Sequence, residues 1–111
     1  CVYEGPIAGV NFKKDAWRLW LYTRPKVGDA LYFYHETKNK YDSKAIAIKY
    51  AQRPHAPKIG YIPKEWTHVF HAAHDLGMRI RGEVTLLNGP STVIRAYAVP
   101  LVPVIAEEEE T

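Results

Sequence analysis

Apolar and polar positions alternate through much of this chain, the period of half-buried strands. The alternation predicts strands over Ile7–Phe12, Trp17–Tyr22, Ala30–His35 and Ala45–Tyr50, and a short one over Lys58–Ile62. A Pro-Lys-Val-Gly-Asp turn (Pro25–Asp29) separates the second from the third. Residues 52–57 form a loop, because Pro54 and Pro57 donate nothing to a strand ladder. The period then lengthens. Pro63–Leu76 reads as a helix, with proline suited to its first turn and Gly77 to its end. At about 100° per residue, Trp66, Val69, Phe70, Ala73 and Leu76 share an arc of about 120°. That is a core face, on which Trp66→Ala is expected to cost about 3–5 kcal/mol. Met78–Leu87 and Thr92–Val102 are the last strands, joined through Asn88-Gly89-Pro90. The sum is a mainly β (α+β) fold with one or two short helices, a small barrel.

Composition narrows the function classes. A chain of 111 residues that is 47% apolar is one globular domain with a modest core, expected over residues 1–106. A single cysteine excludes an internal disulfide, and no apolar run reaches the length of a bilayer span. No membrane partner is expected, and a cytoplasmic or nuclear location follows. The first residue, Cys1, fits a domain cut from a longer protein better than a lipidated terminus. Charge alters the picture more. The net value of +3 includes the glutamates at 107–110, an acidic tail expected to be solvated. Without those four acids, residues 1–106 set 15 basic side chains against 8 acidic ones, a charge of +7 suited to a polyanion.

The chemistry-bearing residues concentrate in His35-Glu36-Thr37-Lys38-Asn39-Lys40-Tyr41-Asp42-Ser43-Lys44, a polar loop that runs directly into an apolar strand. Asn39 and Asp42 are residues that fold back onto nearby amides and stiffen a loop. Tyr41 offers a flat face for a base. The Asp42 carboxylate, acceptor-only when ionised, welcomes a hydroxyl and repels phosphate. The plainer alternative is an Asx-turn beside a packed tyrosine. Tyr61 and Lys64 flank the predicted helix start, where amides and a cation favour phosphate. Lys40 and Lys44 add charge to the loop. His68, His71 and His74 fall on the helix flank opposite its apolar face, with no cysteine pair or acid set beside them, so no metal or cofactor is expected. Neither a phosphate-binding glycine loop nor a nucleophile with its base is present, so the domain reads as non-catalytic. The alternative class is a protein-interaction domain using exposed aromatics, among them Trp17, Trp20, Tyr22, Tyr32 and Tyr34.

The loop and the turn that follows resemble the HIRAN domain family. The matching residues are Glu36, Asn39, Tyr41, Asp42, Ala45 and Ile46, then Gly60, Tyr61, Ile62 and Pro63, with Ile7-Ala8-Gly9-Val10 fitting the opening strand. His35 stands where the family usually has arginine, and Lys40 where it often has proline. Asn11 replaces a common basic residue, while Phe12 keeps the aromatic after it. The resemblance implies an OB-like six-stranded barrel that binds single-stranded DNA at its 3′ end. Asn39, Tyr41, Asp42, Tyr61, Lys64, Phe12, Lys40 and Lys44 would make the contacts. It also implies a monomeric module that is part of, or partner to, a helicase or nuclease in DNA repair.

Overall fold

The structure, a computed structural model, describes residues 2–9, 14–52, 56–88 and 91–100, with the backbone alone at 14–17. Six strands, β1 (Tyr3–Pro6), β2 (Ala30–His35), β3 (Ile46–Lys49), β4 (Lys58–Tyr61), β5 (Met78–Leu86) and β6 (Val93–Pro100), pair in the order β1-β6-β5-β2-β3-β4. Every pairing is antiparallel. The sheet curls until its edges meet. Just past β1, Ala8 exchanges two 2.8 Å backbone hydrogen bonds with Tyr61 of β4, at the opposite edge. This is the OB-like architecture, mainly β with two short helices.

Gly60 makes that closure possible. A Cβ there would stand 2.7 Å from the Ala8 carbonyl oxygen and would overlap the Ile7 side chain. Only a glycine lets the segment after β1 lie this close to β4. The Gly-Tyr pair therefore closes the barrel and aims the tyrosine in one step.

The interior is filled by Leu31, Ile46, Ile48, Ile59, Val84 and Ile94, each contributing about 1.5–3 kcal/mol by burial. Helix α2 (Thr67–Asp75) covers one side of this core, following a 3-10 turn at Lys64–Trp66. Its Phe70 meets Phe33 edge-on, with centroids 5.3 Å apart. Helix α1 (Lys14–Tyr22) packs against β4 and sends Trp20 into the core.

Strands β2 to β6 fall within their predicted segments, and three expectations are corrected. Trp17–Tyr22 is helix, not strand. Its short apolar run suits either period; the helix formers Ala16, Arg18, Leu19 and Leu21 favour the helix, and packing against β4 with Trp20 in the core fixes it. Pro25, just beyond Arg24 in a left-handed conformation (φ 54°), stops it. The first strand is Tyr3–Pro6 rather than Ile7–Phe12. Pro6 is admissible because β1 is an edge strand whose last residue needs no further ladder bond. Ile7 is buried, Ala8 makes its bridge, and 10–12 lie outside the described residues. The third correction concerns Trp66 and Leu76. Trp66 sits in the 3-10 turn, where three residues per turn rotate it out of the apolar stripe, and it is 43% exposed. It rests against Tyr3, with ring centroids 5.6 Å apart. Leu76, after the helix end, is also exposed. Phe70 and Ala73 keep the core role.

Candidate nucleic-acid interface

The loop between β2 and β3 is rigid by construction. The Glu36 N–H donates to the Ala45 carbonyl at 2.9 Å and closes it. Inside, Asn39 Oδ1 accepts the N–H groups of Tyr41 (2.9 Å) and Asp42 (3.0 Å). Asp42 Oδ1 then accepts the Lys44 N–H at 2.9 Å. Two Asx turns in series hold the backbone, so the Asx-turn reading of Asp42 is correct as far as Oδ1 goes. Oδ2 carries no bond among the described residues and stays available as an acceptor. The loop is also tied to its surroundings. His35 Nε2 bonds the Ser43 carbonyl at 2.7 Å and His71 Nε2 the Lys44 carbonyl at 2.9 Å, the two rings touching edge-on. Held from behind in this way, Tyr41 projects its ring into solvent at 88% exposure, with the Lys40 ammonium 5.6 Å from its centroid.

Glu36 joins this loop to β4. Its carboxylate accepts Lys58 Nζ at 2.6 Å, the Tyr61 hydroxyl at 2.9 Å and Asn39 Nδ2 at 3.0 Å. Burial alone would push the Glu36 carboxyl up. Hydrogen bonds from Lys58, Asn39 and Tyr61, with the lysine charge, outweigh it and hold the pKa below the ordinary glutamate value. The Glu36 hydrogen bond raises Lys58 above its usual range, against an opposing effect of burial. Tyr61 is raised by burial and by bonding to the carboxylate. The Glu36–Lys58 ion pair and the neutral Tyr61 hydroxyl together lock the loop against the sheet.

Between loop and sheet lies an open groove of about 1280 Å³. Its lining includes Asn39, Lys40, Tyr41, Asp42, Tyr61 and Lys64, six of the residues singled out from the sequence. Lys44 does not line it; its backbone serves the loop. Phe12 lies outside the described residues. The groove also holds Glu36 and Lys58, which the sequence reading did not place at the site. Glu36 was visible as part of the motif, but Lys58 was not. It precedes Tyr61 by three residues, an odd offset that strict alternation puts on opposite faces of a strand. A β-bulge shifts the β3–β4 register between Ile48 and Lys49 and brings both to one face. Among the described residues no three His, Cys, Asp or Glu converge as a metal site requires. No described helix is long and apolar enough to cross a membrane.

Of the aromatics offered as an interaction surface, Trp20 is buried (2% exposed), Tyr22 is exposed, and Tyr32 and Tyr34 are half-buried. The Trp17 side chain lies outside the described set.

No curated protein sequence matches the chain. Two solved structures share its fold. One, a protein from Lactobacillus plantarum, is 24% identical at a TM-score of 0.62, with 84% of this chain and 90% of that chain covered. The other, the HIRAN domain of human HLTF, is 15% identical at the same TM-score, with 86% and 73% covered. The family model described as the HIRAN domain matches residues 2–96. The chain therefore belongs to the HIRAN domain family, a family of non-catalytic DNA-binding domains.

Proposed function

We propose that the groove between the β2–β3 loop and β4 receives the 3′ end of a single DNA strand. The observation that carries this reading is the juxtaposition, along one wall, of an exposed Tyr41 ring and a carboxylate whose Oδ2 has no bond among the described residues. The terminal base stacks on Tyr41, and the 3′-hydroxyl donates to Asp42 Oδ2. A 3′-phosphate brings about 1.5 to 2 negative charges to the same oxygen and is rejected. Lys64, exposed at the groove's rim, and Lys40 carry backbone phosphates as point charges. Glu36, tied to Lys58, Tyr61 and Asn39, positions the wall and faces no phosphate directly. A module of this kind serves a repair helicase or nuclease by presenting it with a strand end.

Fluorescence anisotropy with labelled single strands ending in 3′-hydroxyl or 3′-phosphate, at two salt concentrations, tests the reading. Tighter, salt-sensitive binding of the hydroxyl end supports it. Equal binding of both ends removes the end-reading role and leaves a general strand binder. Absence of binding at low salt sinks the nucleic-acid reading.

A further inference from the structure

The register across the sheet links the groove to a second feature. Tyr61 of β4 lies opposite Ala47 of β3, and Ala47 lies opposite Tyr34 of β2. Directly opposed residues of antiparallel strands share a face, so Tyr61 and Tyr34 stand on the same side of the sheet with only a methyl between them. Beyond Tyr34 this face continues over β5 and β6. Arg79 and Arg81 alternate outward from β5, and Arg81 is paired with Tyr97 of β6. These residues, with Tyr32 and Tyr34, line a trough of about 390 Å³.

The chemistry of the trough is basic and aromatic in alternation. Neither Arg79 nor Arg81 has an ion-pair partner among the described residues, and both are exposed. The acid in the trough, Glu83, is engaged by Arg95 at 3.7 Å, and Arg95 also holds Glu4 at 3.2 Å. Lys49, whose ammonium stands 4.4 Å from the Tyr34 ring, adds a third cation at the junction with the groove. Guanidinium forks match phosphate oxygens, and tyrosine faces accept any base. Charge complementarity thus favours a polyanion with flat apolar groups along its length.

We propose that this outer face of β2, β5 and β6 is a second contact surface for the same nucleic-acid strand, continuous with the end groove, over which interior nucleotides lie. Resting on the nucleic-acid reading above, the proposal adds a site that determines footprint and affinity rather than end preference. Bases rest on Tyr34 and Tyr97, and phosphates meet Arg79 and Arg81. With about 4.8 Å between neighbouring strands, β4 to β6 spans four spacings, a track of about 19 Å leading away from the end.

The test measures affinity against strand length for the wild type and for Arg79→Ala/Arg81→Ala. Both arginines are exposed, and unchanged melting and circular dichroism confirm that the variant folds. On strands of about 12 nucleotides the variant loses roughly 10-fold or more, and its salt slope falls by about two. On strands of about 4 nucleotides, which fill the groove alone, affinity and the preference for a 3′-hydroxyl stay at wild-type values. Equal loss on short and long strands, or none on long ones, overturns the proposal. A second variant, Tyr34→Leu/Tyr97→Leu, isolates stacking. It should erase the wild type's preference for a long strand with bases over one with abasic interior positions, and an unchanged preference counts against the track. A polyglutamate peptide that competes as well as the strand, charge for charge, assigns the face to acidic protein and also overturns it. The two readings fail separately. If Asp42→Ala and Tyr41→Ala change nothing while the arginine variant weakens long strands, the groove assignment falls and the sheet face stands. If wild type binds no strand, both fall.

Discussion

Asp42 lines the groove with its two carboxylate oxygens unequally used: Oδ1 fixes the turn through Lys44, and Oδ2, the acceptor in the proposed reading, carries no bond among the described residues. Asp42→Asn, which keeps a turn-accepting oxygen, is therefore expected to retain the fold while lowering the ratio of 3′-hydroxyl to 3′-phosphate affinity to near one. Anisotropy on the two ends measures that ratio, and a ratio held at the wild-type value would break the assignment. Tyr41→Ala is expected to weaken both ends by about 1–3 kcal/mol, because its exposed ring contributes nothing to the core. Glu36 acts differently, through pH. Its pKa is depressed in the fold, so the stability it contributes is present above the ordinary glutamate value and lost as pH falls through the lower folded value. Lys58 has the opposite sign: its contribution is complete below the ordinary lysine value and lost as pH rises through the raised one. Between about pH 5 and pH 10 the cluster is intact. Glu36→Gln is expected to lower the melting temperature by an amount worth about 1–2 kcal/mol near neutrality, the pair being partly exposed, and to converge with wild type in acid. Melting curves across pH, with no convergence, would contradict this.

At the scale of elements, the glycine of β4, helix α2 and the 3-10 turn each carry a separable effect. Gly60→Ala drives a methyl into the Ala8 carbonyl and the Ile7 side chain. The closing bridge must open, at about 1–3 kcal/mol, and Tyr61 loses its register with it. Hydrogen exchange at the Ala8 and Tyr61 amides, which donate across that bridge, reads the opening directly. The α2 region offers a contrast between two aromatics. Phe70→Ala empties a core position against Phe33 and is expected to cost about 3–5 kcal/mol. Trp66→Ala removes a half-covered ring from Tyr3 and is expected to cost only about 1 kcal/mol, which denaturant titration of the two variants distinguishes.

For the whole molecule, the net charge and its distribution set the association behaviour. A body with an excess of cations gains affinity for a strand by releasing counterions, so affinity falls with salt in proportion to phosphates contacted. Lys64→Ala should reduce the slope of log affinity on log salt by about one and weaken all strands alike. A protein–protein role through Tyr22 and its apolar neighbours Leu19 and Leu21 on α1 would show little such dependence. The salt series therefore separates the two classes in one experiment.

The local segments of this molecule were written in the sequence because their causes are local. Alternation places Ala30–His35 and Met78–Leu86, the asparagine and aspartate dictate the turns of the loop, and the motif from Glu36 to Pro63 carries the family. What the chain alone left open depended on partners distant in sequence. Trp17–Tyr22 suits a strand or a helix until β4 gives Trp20 a place to bury. Tyr3–Pro6, poor in strand formers, becomes a strand because β6 supplies a ladder at the sheet edge. Lys58 reaches Glu36 across 22 residues only because a bulge turns it to that face. The alignment of Tyr61, Tyr34 and the β5 arginines likewise exists only once four strands are in register. Propensity and turn chemistry act over a few residues and can be read there; register, bulges and burial are set by pairing between remote segments, and the folded sheet alone decides them.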